Sequence, residues 1–334
     1  MNNKLKALIL LICAFTALSA VPRNLVIVEM ATGTWCQYCP GGSMGAHDLL
    51  ANGHAVAIIK NHGGDTFANT YSNARNTFYG VTGYPTTIFD GTVSPLGGSN
   101  SNSMYNSYLP YVNNRLNVPS KYTISAIGTE NAGSYSIDVT VAKPEADTNT
   151  NVVLHASLTE SHIPFNWFNQ TTVDNCHRLM IPNQNGTPIS LATGGQTNVN
   201  LSFTPNAAWV PQNLELVLWL QNTTTKEILQ GTKYSLPGLT GALPVSHNTV
   251  NFPTMYISGA ASVPVTFFNF GSSVVTASFN SDNPAFVTDV NSISIPAYQS
   301  RIVNFSFLPQ TDQLVQGKDR KSTRLNSSHG KLPR

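Results

Sequence analysis

Two cysteines separated by two residues constrain this chain more than any other feature of its sequence. Cys36 and Cys39 follow an apolar run at residues 25–28 and precede a helix-compatible run at 41–50. A strand, a turn and a helix would place the first thiol at a helix N-terminus, where unpaired amides and the helix dipole favour a thiolate. The second thiol would lie one turn further along the helix. The pattern therefore predicts a dithiol that can form and release a disulfide.

The residues alone leave a second interpretation of this pair open. A zinc site needs more ligands, and no second C-x-x-C or H-x-x-x-H pair follows at finger-like spacing. A structural disulfide would close a ring of only four residues and contribute about 2 kcal/mol by the loop-closure relation. We favour a redox element, keep the structural disulfide as the alternative, and expect no metal and no cofactor.

The first 20 residues have the pattern of a signal peptide. Lys4 and Lys6 precede an apolar stretch at residues 7–17, and small residues follow at 18–20. The apolar stretch is too short to cross a bilayer as a helix, and no later run is long enough. We expect an exported protein without a transmembrane span.

The last residues have a different origin from the rest of the chain. Residues 319–329 resemble the in-frame translation of a common sequencing-library adapter. We therefore expect 319–334 to be an artefactual disordered tail and the native sequence to be cut short near Lys318.

The net charge of +2 comes from these two terminal segments. Seven of the 18 basic residues and one of the 16 acidic residues lie within residues 1–20 and 319–334. The rest of the chain has 11 basic and 15 acidic residues, a net charge of about −4. No basic surface is expected, and we predict no nucleic-acid partner.

The first of three segments in the mature chain alternates strand-like and helix-like runs, which predicts an α/β unit with a mixed or parallel sheet. The predicted strands are residues 25–30, 55–60 and 86–89, and the predicted helices are residues 41–52, 66–78 and 102–116.

The second and third segments are all-β by pattern. Residues 120–236 contain strand-like runs separated by turn clusters and are predicted to form an antiparallel β-sandwich. A Gly/Pro-rich linker follows at 237–248, and residues 249–318 form a smaller β segment. The predicted fold class is therefore α/β plus all-β.

Several residues of the first segment resemble the thioredoxin superfamily, which implies a thioredoxin-like domain over 21–119. Cys36 and Cys39 match its active-site pair, and Trp35 matches the preceding tryptophan. The run at 81–89, which contains Tyr84 and Pro85, resembles its cis-proline loop. The resemblance implies that Cys36 is the nucleophile, that Cys39 resolves the mixed disulfide, and that the Tyr84–Pro85 bond is cis. It also implies that Trp35, Tyr84 and Pro85 position the substrate.

One of the departures from that family concerns its buried acid. Its buried acid lies six residues before the first cysteine, where this chain has Met30, and Glu29 lies seven before. Glu29 is a candidate proton acceptor for Cys39, and a role at the rim or in solvent is equally open.

The combination of segments resembles the 28-kilodalton outer membrane protein-related family of Gram-negative bacteria. The quoted motifs, together with residues 158–160, Asn222 and 227–230, carry the likeness over about 24–236. Residues 249–318 resemble a partial immunoglobulin-like repeat of the choice-of-anchor or abnormal-spindle type. The resemblance implies an exported protein of the periplasm, outer membrane or cell surface. It would be soluble there, or held by an envelope or surface partner.

Other candidate residues give weaker indications of a function. His155, His162 and His177 have no spacing that places two of them on one face, so we expect no metal cluster. Cys176 has no partner nearby in sequence and is expected to be a buried free thiol. The predicted function is thiol–disulfide exchange with protein thiols or disulfides. The alternative is a non-catalytic surface binding or adhesive protein that uses the same fold as a scaffold.

Overall fold

The dominant element of the fold is a curled, mixed sheet of eight strands. A computed structural model describes residues 21–92, 97–239, 245, 250, 252, 256–269, 274–296, 299–310 and, by backbone alone, 322–325. The part of the chain up to residue 119 has β1 (Val26–Thr32), α1 (Cys39–Ala51), β2 (Val56–His62), α2 (Thr70–Tyr79), β3 (Thr86–Phe89) and α3 (Tyr105–Leu116).

The remaining elements are almost all strands, so the described chain is β-rich. The middle part has β4 (Thr123–Asn131), β5 (Ser134–Ala142), β6 (Val152–Glu160), β7 (Ile163–Trp167), β8 (Gln170–Val173), β9 (Cys176–Met180), β10 (Thr187–Ile189), β11 (Gln196–Phe203), β12 (Leu214–Asn222), β13 (Ile228–Ser235) and α4 (Leu236–Leu239). The last part has β14 (Ala261–Asn269), β15 (Val275–Ser278), β16 (Phe286–Thr288), β17 (Ser292–Ile295), β18 (Gln299–Phe307) and β19 (Ser322–Leu325).

The eight-stranded sheet has the order β13-β12-β6-β9-β2-β1-β3, with β10 paired to β6. Every residue of β1 and β2 is buried, which explains why both read as continuous apolar runs and not as an alternating pattern. One face packs against α1 and α3 through a core cluster that includes Val28, Met30, Ile58, Leu49 and Tyr108.

The other face of β1 and β2 is covered by the far end of the same sheet. Val217 and Trp219 of β12 share a core cluster with Ile27 and Ile59. The approach is close: a Cβ on Gly231 of β13 would lie 2.8 Å from Ile27 Cδ1, so a larger residue there would displace the Ile27 side chain. The sheet therefore curls back over itself and encloses its own core.

The sheet continues across the segment boundary expected near residue 119. β9 pairs in parallel with β2, with Cys176 opposite Lys60, and the Lys60 amide donates to the Asn175 carbonyl at 2.8 Å. A separate three-stranded sheet, β11-β5-β4, packs on β6 and β12 through Ile137, Val139 and their neighbours. The residues before and after 119 therefore contribute to one continuous core.

The last part of the chain forms two three-stranded sheets, β14-β18-β16 and β17-β15-β19, around a core that includes Phe267 and Val303. The tail that was expected to be disordered contains β19, which pairs with β15. The expectation of disorder is wrong for residues 322–325. The exposed edge of β15 can form backbone hydrogen bonds with an added strand whatever its side chains, and β19 pairs there. The remaining tail residues, 319–321 and 326–334, lie outside the described residues, as do residues 1–20.

No helix within the described ranges is both long and apolar enough to cross a membrane.

Sheet continuity predicts that the two halves joined at β2 and β9 unfold together. Ile27→Ala, in the core that β1 shares with Val217 and Trp219 of β12, is expected to cost about 2–5 kcal/mol of unfolding free energy. In hydrogen exchange at increasing urea concentrations, peptides from β1 and β12 of the variant should lose protection at the same urea concentration, and this concentration should be lower than in the wild type. Ile302→Ala, at a position 62% exposed, serves as the control and should change stability by less than about 0.5 kcal/mol. Two separate transitions for β1 and β12 would contradict a common core.

Candidate functional site

Three loops meet at one edge of the eight-stranded sheet. β1 and β2 are parallel, so the loops that follow Thr32 and His62 leave from the same edge. β3 is antiparallel to β1 and begins at Thr86, opposite Ala31, so the loop that precedes β3 arrives at this edge too. The pairing of the strands thus brings the cysteine motif and the Tyr84-Pro85 segment together from distant sequence positions.

The cysteine motif forms a tight turn that runs into α1. The Cys36 amide donates to the Gly33 carbonyl at 3.1 Å, and the Cys39 amide donates to the Cys36 carbonyl at 3.1 Å. α1 begins at Cys39, and Pro40 lies in its first turn, where its fixed φ fits the helix and no amide hydrogen is needed. Cys36 therefore lies in the turn immediately before the helix, and Cys39, which was expected one turn inside the helix, is its first residue.

Cys36 and Cys39 form a disulfide, with their Cα atoms 5.4 Å apart. Cys39 is fully buried and Cys36 is 5% exposed. Both belong to an apolar cluster with Phe67, Trp167 and the free thiol of Cys176. The pair is therefore asymmetric, with Cys36 at the surface side and Cys39 enclosed by protein.

An open cleft of about 480 Å³ lies over Cys36. Its lining consists of aromatic and neutral side chains: Trp35, Cys36, Gln37, Tyr38, Tyr84 and Phe168. None of these side chains carries a charge at neutral pH. A neutral, aromatic cleft next to a disulfide favours an uncharged or apolar segment of a binding partner.

Trp35 is held at the cleft rim although more than half of its surface is exposed. Its indole Nε1 donates to the Gly63 carbonyl at 2.8 Å, and its ring centroid lies 5.4 Å from that of Tyr84. The preceding amide of Thr34 donates to Asp65 Oδ2 at 2.8 Å. The loop after β2 therefore fixes the lead-in to the cysteine motif.

The Tyr84–Pro85 peptide bond is cis, as the family resemblance implied. The Pro85 carbonyl accepts from the Gly97 amide at 3.0 Å. A Cβ on Gly98 would overlap the Tyr38 carbonyl oxygen and lie 2.7 Å from Pro85 Cγ, so Gly98 fits closely between the cysteine turn and the proline. Trp35, Tyr84 and Pro85 are thus brought around the disulfide.

Glu29 is not part of this site. Met30 faces α1, its sulfur 3.3 Å from the Cβ position of Gly42, so Glu29 points to the opposite face of the sheet. There Arg75 holds both carboxylate oxygens, at 2.8 and 2.6 Å, and the Tyr79 hydroxyl donates at 2.6 Å. The expectation that Glu29 accepts a proton from Cys39 is wrong, because alternation along β1 separates it from α1 by the thickness of the sheet.

The surroundings of Glu29 keep it ionised. Burial alone would raise the pKa of Glu29, but attraction to Arg75 and hydrogen bonds from Arg75, Tyr79 and Asn61 outweigh burial, so the pKa is lowered. Glu29 therefore stabilises the fold as the anion of a buried ion pair.

Two polar contacts near the disulfide were missed by sequence reasoning. The Lys60 ammonium donates to Ser43 Oγ of α1 at 2.6 Å, and His62 Nδ1 lies 2.8 Å from Asp65 Oδ2. A lysine that ends the run Val-Ala-Ile-Ile was a detectable signal, because a charged side chain in a strand buried on both faces needs a reason. The β7–β8 hairpin, which carries Phe168 to the cleft, was also missed.

The histidines of the middle segment hold no metal site. Burial lowers the pKa of His155 and of His177 to about 3, so both are neutral. The side chain of His162 is 75% exposed and lies 3.3 Å from Asp174. Across the described part of the chain, no group of three or more His, Cys, Asp or Glu side chains could hold a metal ion.

Comparison with known proteins finds similarity only at the level of structure. No protein-family model matches the chain, and no curated protein sequence matches it. HBP35 of Porphyromonas gingivalis aligns with a TM-score of 0.52 and 13% identity, over 90% of this chain and 99% of that chain. At this identity the similarity shows a shared fold. A domain of the outer membrane lipoprotein Omp28 from the same organism aligns over 40% of this chain and 92% of that chain, at 13% identity and a TM-score of 0.27, too low to support an argument.

Loss of the Glu29 charge is expected to destabilise the protein without affecting the disulfide. Glu29→Gln leaves Arg75 buried beside a neutral amide and should cost about 3–5 kcal/mol in urea denaturation at pH 7. Because the pKa of Glu29 is lowered by folding, this stabilisation is present above its ordinary value and is lost as pH falls through the folded value. The difference between wild type and variant should therefore shrink below about pH 4.

Glu130→Gln is the matched control, since Glu130 is exposed at the end of β4. It should leave stability nearly unchanged at both pH values. If the Cys36–Cys39 disulfide of Glu29→Gln were reduced more slowly at unchanged stability, this would contradict a purely structural role and show that Glu29 acts on the disulfide.

Proposed function

We propose that this protein is an exported thiol–disulfide exchange protein whose residues 21–119 form a thioredoxin-like unit. The observation that carries the proposal is the asymmetric disulfide at the start of α1, with Cys36 at the floor of an open cleft and Cys39 fully buried beneath it. A purely structural ring of this size would add little stability and would need no cleft.

In the proposed exchange, a substrate thiolate attacks Cys36 Sγ. A bond forms between the substrate sulfur and Cys36, the Cys36–Cys39 bond breaks, and its electron pair stays on Cys39. A second substrate thiolate then attacks the substrate sulfur of the mixed disulfide, which oxidises the substrate and releases Cys36 as the thiolate. The reverse sequence reduces a substrate disulfide. The amides at the start of α1 favour the thiolate of Cys36.

The proposed substrates are protein thiols or disulfides. The cleft over Cys36 is open and lined by aromatic side chains, and its neutral character favours apolar residues beside the substrate cysteine. In this proposal Trp35, Tyr84 and Pro85 position that segment. Lys, Arg, Asp and Glu side chains are absent from the lining, which favours recognition by shape and apolar contact over recognition by charge.

We further propose that the chain belongs to the 28-kilodalton outer membrane protein-related family and acts in the cell envelope or at the surface of a Gram-negative bacterium. The motifs quoted above support this assignment. Residues 249–318 would then follow the redox unit as an immunoglobulin-like module.

A non-catalytic binding or adhesive role is the second candidate. It is favoured by the contrast between the disulfide and its rim: Cys36 is 5% exposed, whereas Trp35, Tyr38 and Phe168 are 55%, 50% and 59% exposed. Exposed aromatic side chains around a cleft are typical of binding surfaces. In that role the disulfide would only hold the rim in place.

Redox titration separates the two functions. Thiol trapping across glutathione buffers is expected to give a reduction potential above about −300 mV for the Cys36–Cys39 disulfide. Structural disulfides of secreted proteins typically have reduction potentials below that value. The protein should also catalyse insulin reduction by dithiothreitol. Cys36→Ala should lower that activity to the rate of the reagent alone, whereas Cys176→Ala, which removes a buried free thiol, should retain it. A disulfide that stays oxidised throughout would support the binding role instead.

A further inference from the structure

A buried lysine lies on the α1 face of the sheet. Lys60 is 3% exposed, and its position on β2 is opposite Met30 of β1, which faces α1. Its ammonium donates to Ser43 Oγ at 2.6 Å. Burying an ammonium carries a large desolvation cost, so its presence here calls for a function or a partner.

The position of Ser43 relates this ammonium to Cys39. Ser43 follows Cys39 by four residues in α1, so the two side chains are neighbours on one helix face, with Cβ atoms about 5–6 Å apart. Both residues are buried. Cys176, opposite Lys60 on β9, belongs to the same apolar cluster as Cys39. Lys60 is therefore bound to the serine that lies one helical turn after Cys39, whose sulfur leaves when the disulfide opens.

Lys60 is not neutralised by an ion pair. Three other lysines, Lys121, Lys143 and Lys233, each pair with a carboxylate. Lys60 has no carboxylate within 4.0 Å among the residues that the structure describes. Glu29, the buried acid of the neighbouring strand, is on the other face and is bound to Arg75.

The groups that face Lys60 are few. Ser43 from α1 and Met30 from β1 are neutral. Cys176 on β9 and Asp174 before it act on Lys60 at longer range. On β2 itself the next residue on this face, His62, is bound to Asp65 at 2.8 Å. Within the described ranges, the Lys60 ammonium is thus a positive charge with one neutral hydrogen-bond partner.

We infer that Lys60 supplies the proton that Cys39 takes up when the disulfide is reduced and recovers it when the disulfide re-forms, with Ser43 holding the ammonium in position. This inference rests on the proposed function. Lys60 acts on Cys39 and touches no substrate, so it is a positioning and proton-holding residue.

The proton balance is simple in both directions. When a substrate thiolate attacks Cys36, the Cys36–Cys39 bond breaks and its electron pair stays on Cys39 Sγ. A proton passes from Lys60 Nζ, through the hydroxyl of Ser43, to that sulfur, and solvent later reprotonates the neutral amine. In the reverse direction neutral Lys60 accepts the Cys39 proton, and the resulting thiolate displaces the substrate from Cys36.

The environment of Lys60 suits both steps. Burial lowers the pKa of Lys60 to about 8, and attraction to the carboxylate of Asp174 opposes that shift only in part. A group with a pKa near the working pH can both give and take a proton, which an ordinary surface lysine cannot do efficiently. Cys39, fully buried, has greatest need of such a partner because a buried thiolate is costly.

The test is the pH dependence of disulfide reduction by dithiothreitol, with each rate divided by the concentration of reagent thiolate. In the wild-type protein this normalised rate should fall as pH rises through about 8, because Lys60 loses its proton there. Lys60→Met should be about 10²-fold slower at pH 7 and show no inflection near pH 8. Ser43→Ala should also slow the reaction, and it provides a second variant if the first folds poorly.

A merely structural lysine would give a different pattern. Methionine relieves the desolvation cost of the ammonium, so Lys60→Met is expected to be at least as stable as the wild type while it reacts more slowly. Lys233→Met, at a buried lysine of β13 that lies 3.5 Å from Glu215, is the matched control and should keep the wild-type profile.

Two outcomes overturn the inference. If Lys60→Met or Ser43→Ala keeps the wild-type reduction rate and the inflection near pH 8, Lys60 does not supply the proton, and the proposed function still stands. A wild-type disulfide that does not exchange with dithiothreitol at all removes both.

Discussion

The parallel pairing of β1 with β2 determines where the chemistry of this chain is located. Val26 lies opposite Val56 and Thr32 opposite His62, so both strands end at the same sheet edge. The cysteine turn and the loop that fixes Trp35 leave from that edge, and the antiparallel β3 returns the Tyr84-Pro85 segment to it. Without this register the disulfide, the aromatic rim and the proline loop would not share one surface.

The same register sorts the ionisable groups onto two faces. Met30 and Lys60 lie toward α1, whereas Glu29 lies toward α2 and binds Arg75. Because successive side chains of a strand point to opposite faces, a shift of one residue places a side chain on the other face of the sheet. The Glu29 carboxylate is thus part of a buried ion pair, whereas the Lys60 ammonium is bound to Ser43 of the helix that begins at Cys39.

Local features could be predicted from the sequence, and long-range ones could not. The cysteine pair, the helix that follows it and the buried strands at β1 and β2 depend on neighbouring residues and on apolar runs. The pairing of Lys60 with Cys176, which joins two apparent domains into one sheet, depends on residues more than 100 positions apart and leaves no local pattern. The hairpin that carries Phe168 was missed because its short strands, β7 and β8, lack clear alternation.

The candidate site shows the same division. The sequence predicted Trp35, Cys36, Cys39, Tyr84 and Pro85, and the structure brings these residues to one edge. Glu29 was a candidate for the site because of its distance along the chain from Cys36. Its partner depends on which face of β1 its side chain occupies, and the one-residue difference from the family's spacing did not reveal that face. Lys60 was visible in the sequence, yet its link to Ser43 emerges only when α1 packs on β2.

The central claim is that Cys36 is a reactive thiol and Cys39 a protected one, and alkylation of the reduced protein tests it most directly. Iodoacetamide labelling at each cysteine, followed by mass spectrometry across pH, would give separate rates for Cys36, Cys39 and Cys176. The account predicts that Cys36 reacts faster than free cysteine at neutral pH, and that Cys39 and Cys176 react only after unfolding. Equal, slow labelling of Cys36 and free cysteine would contradict it.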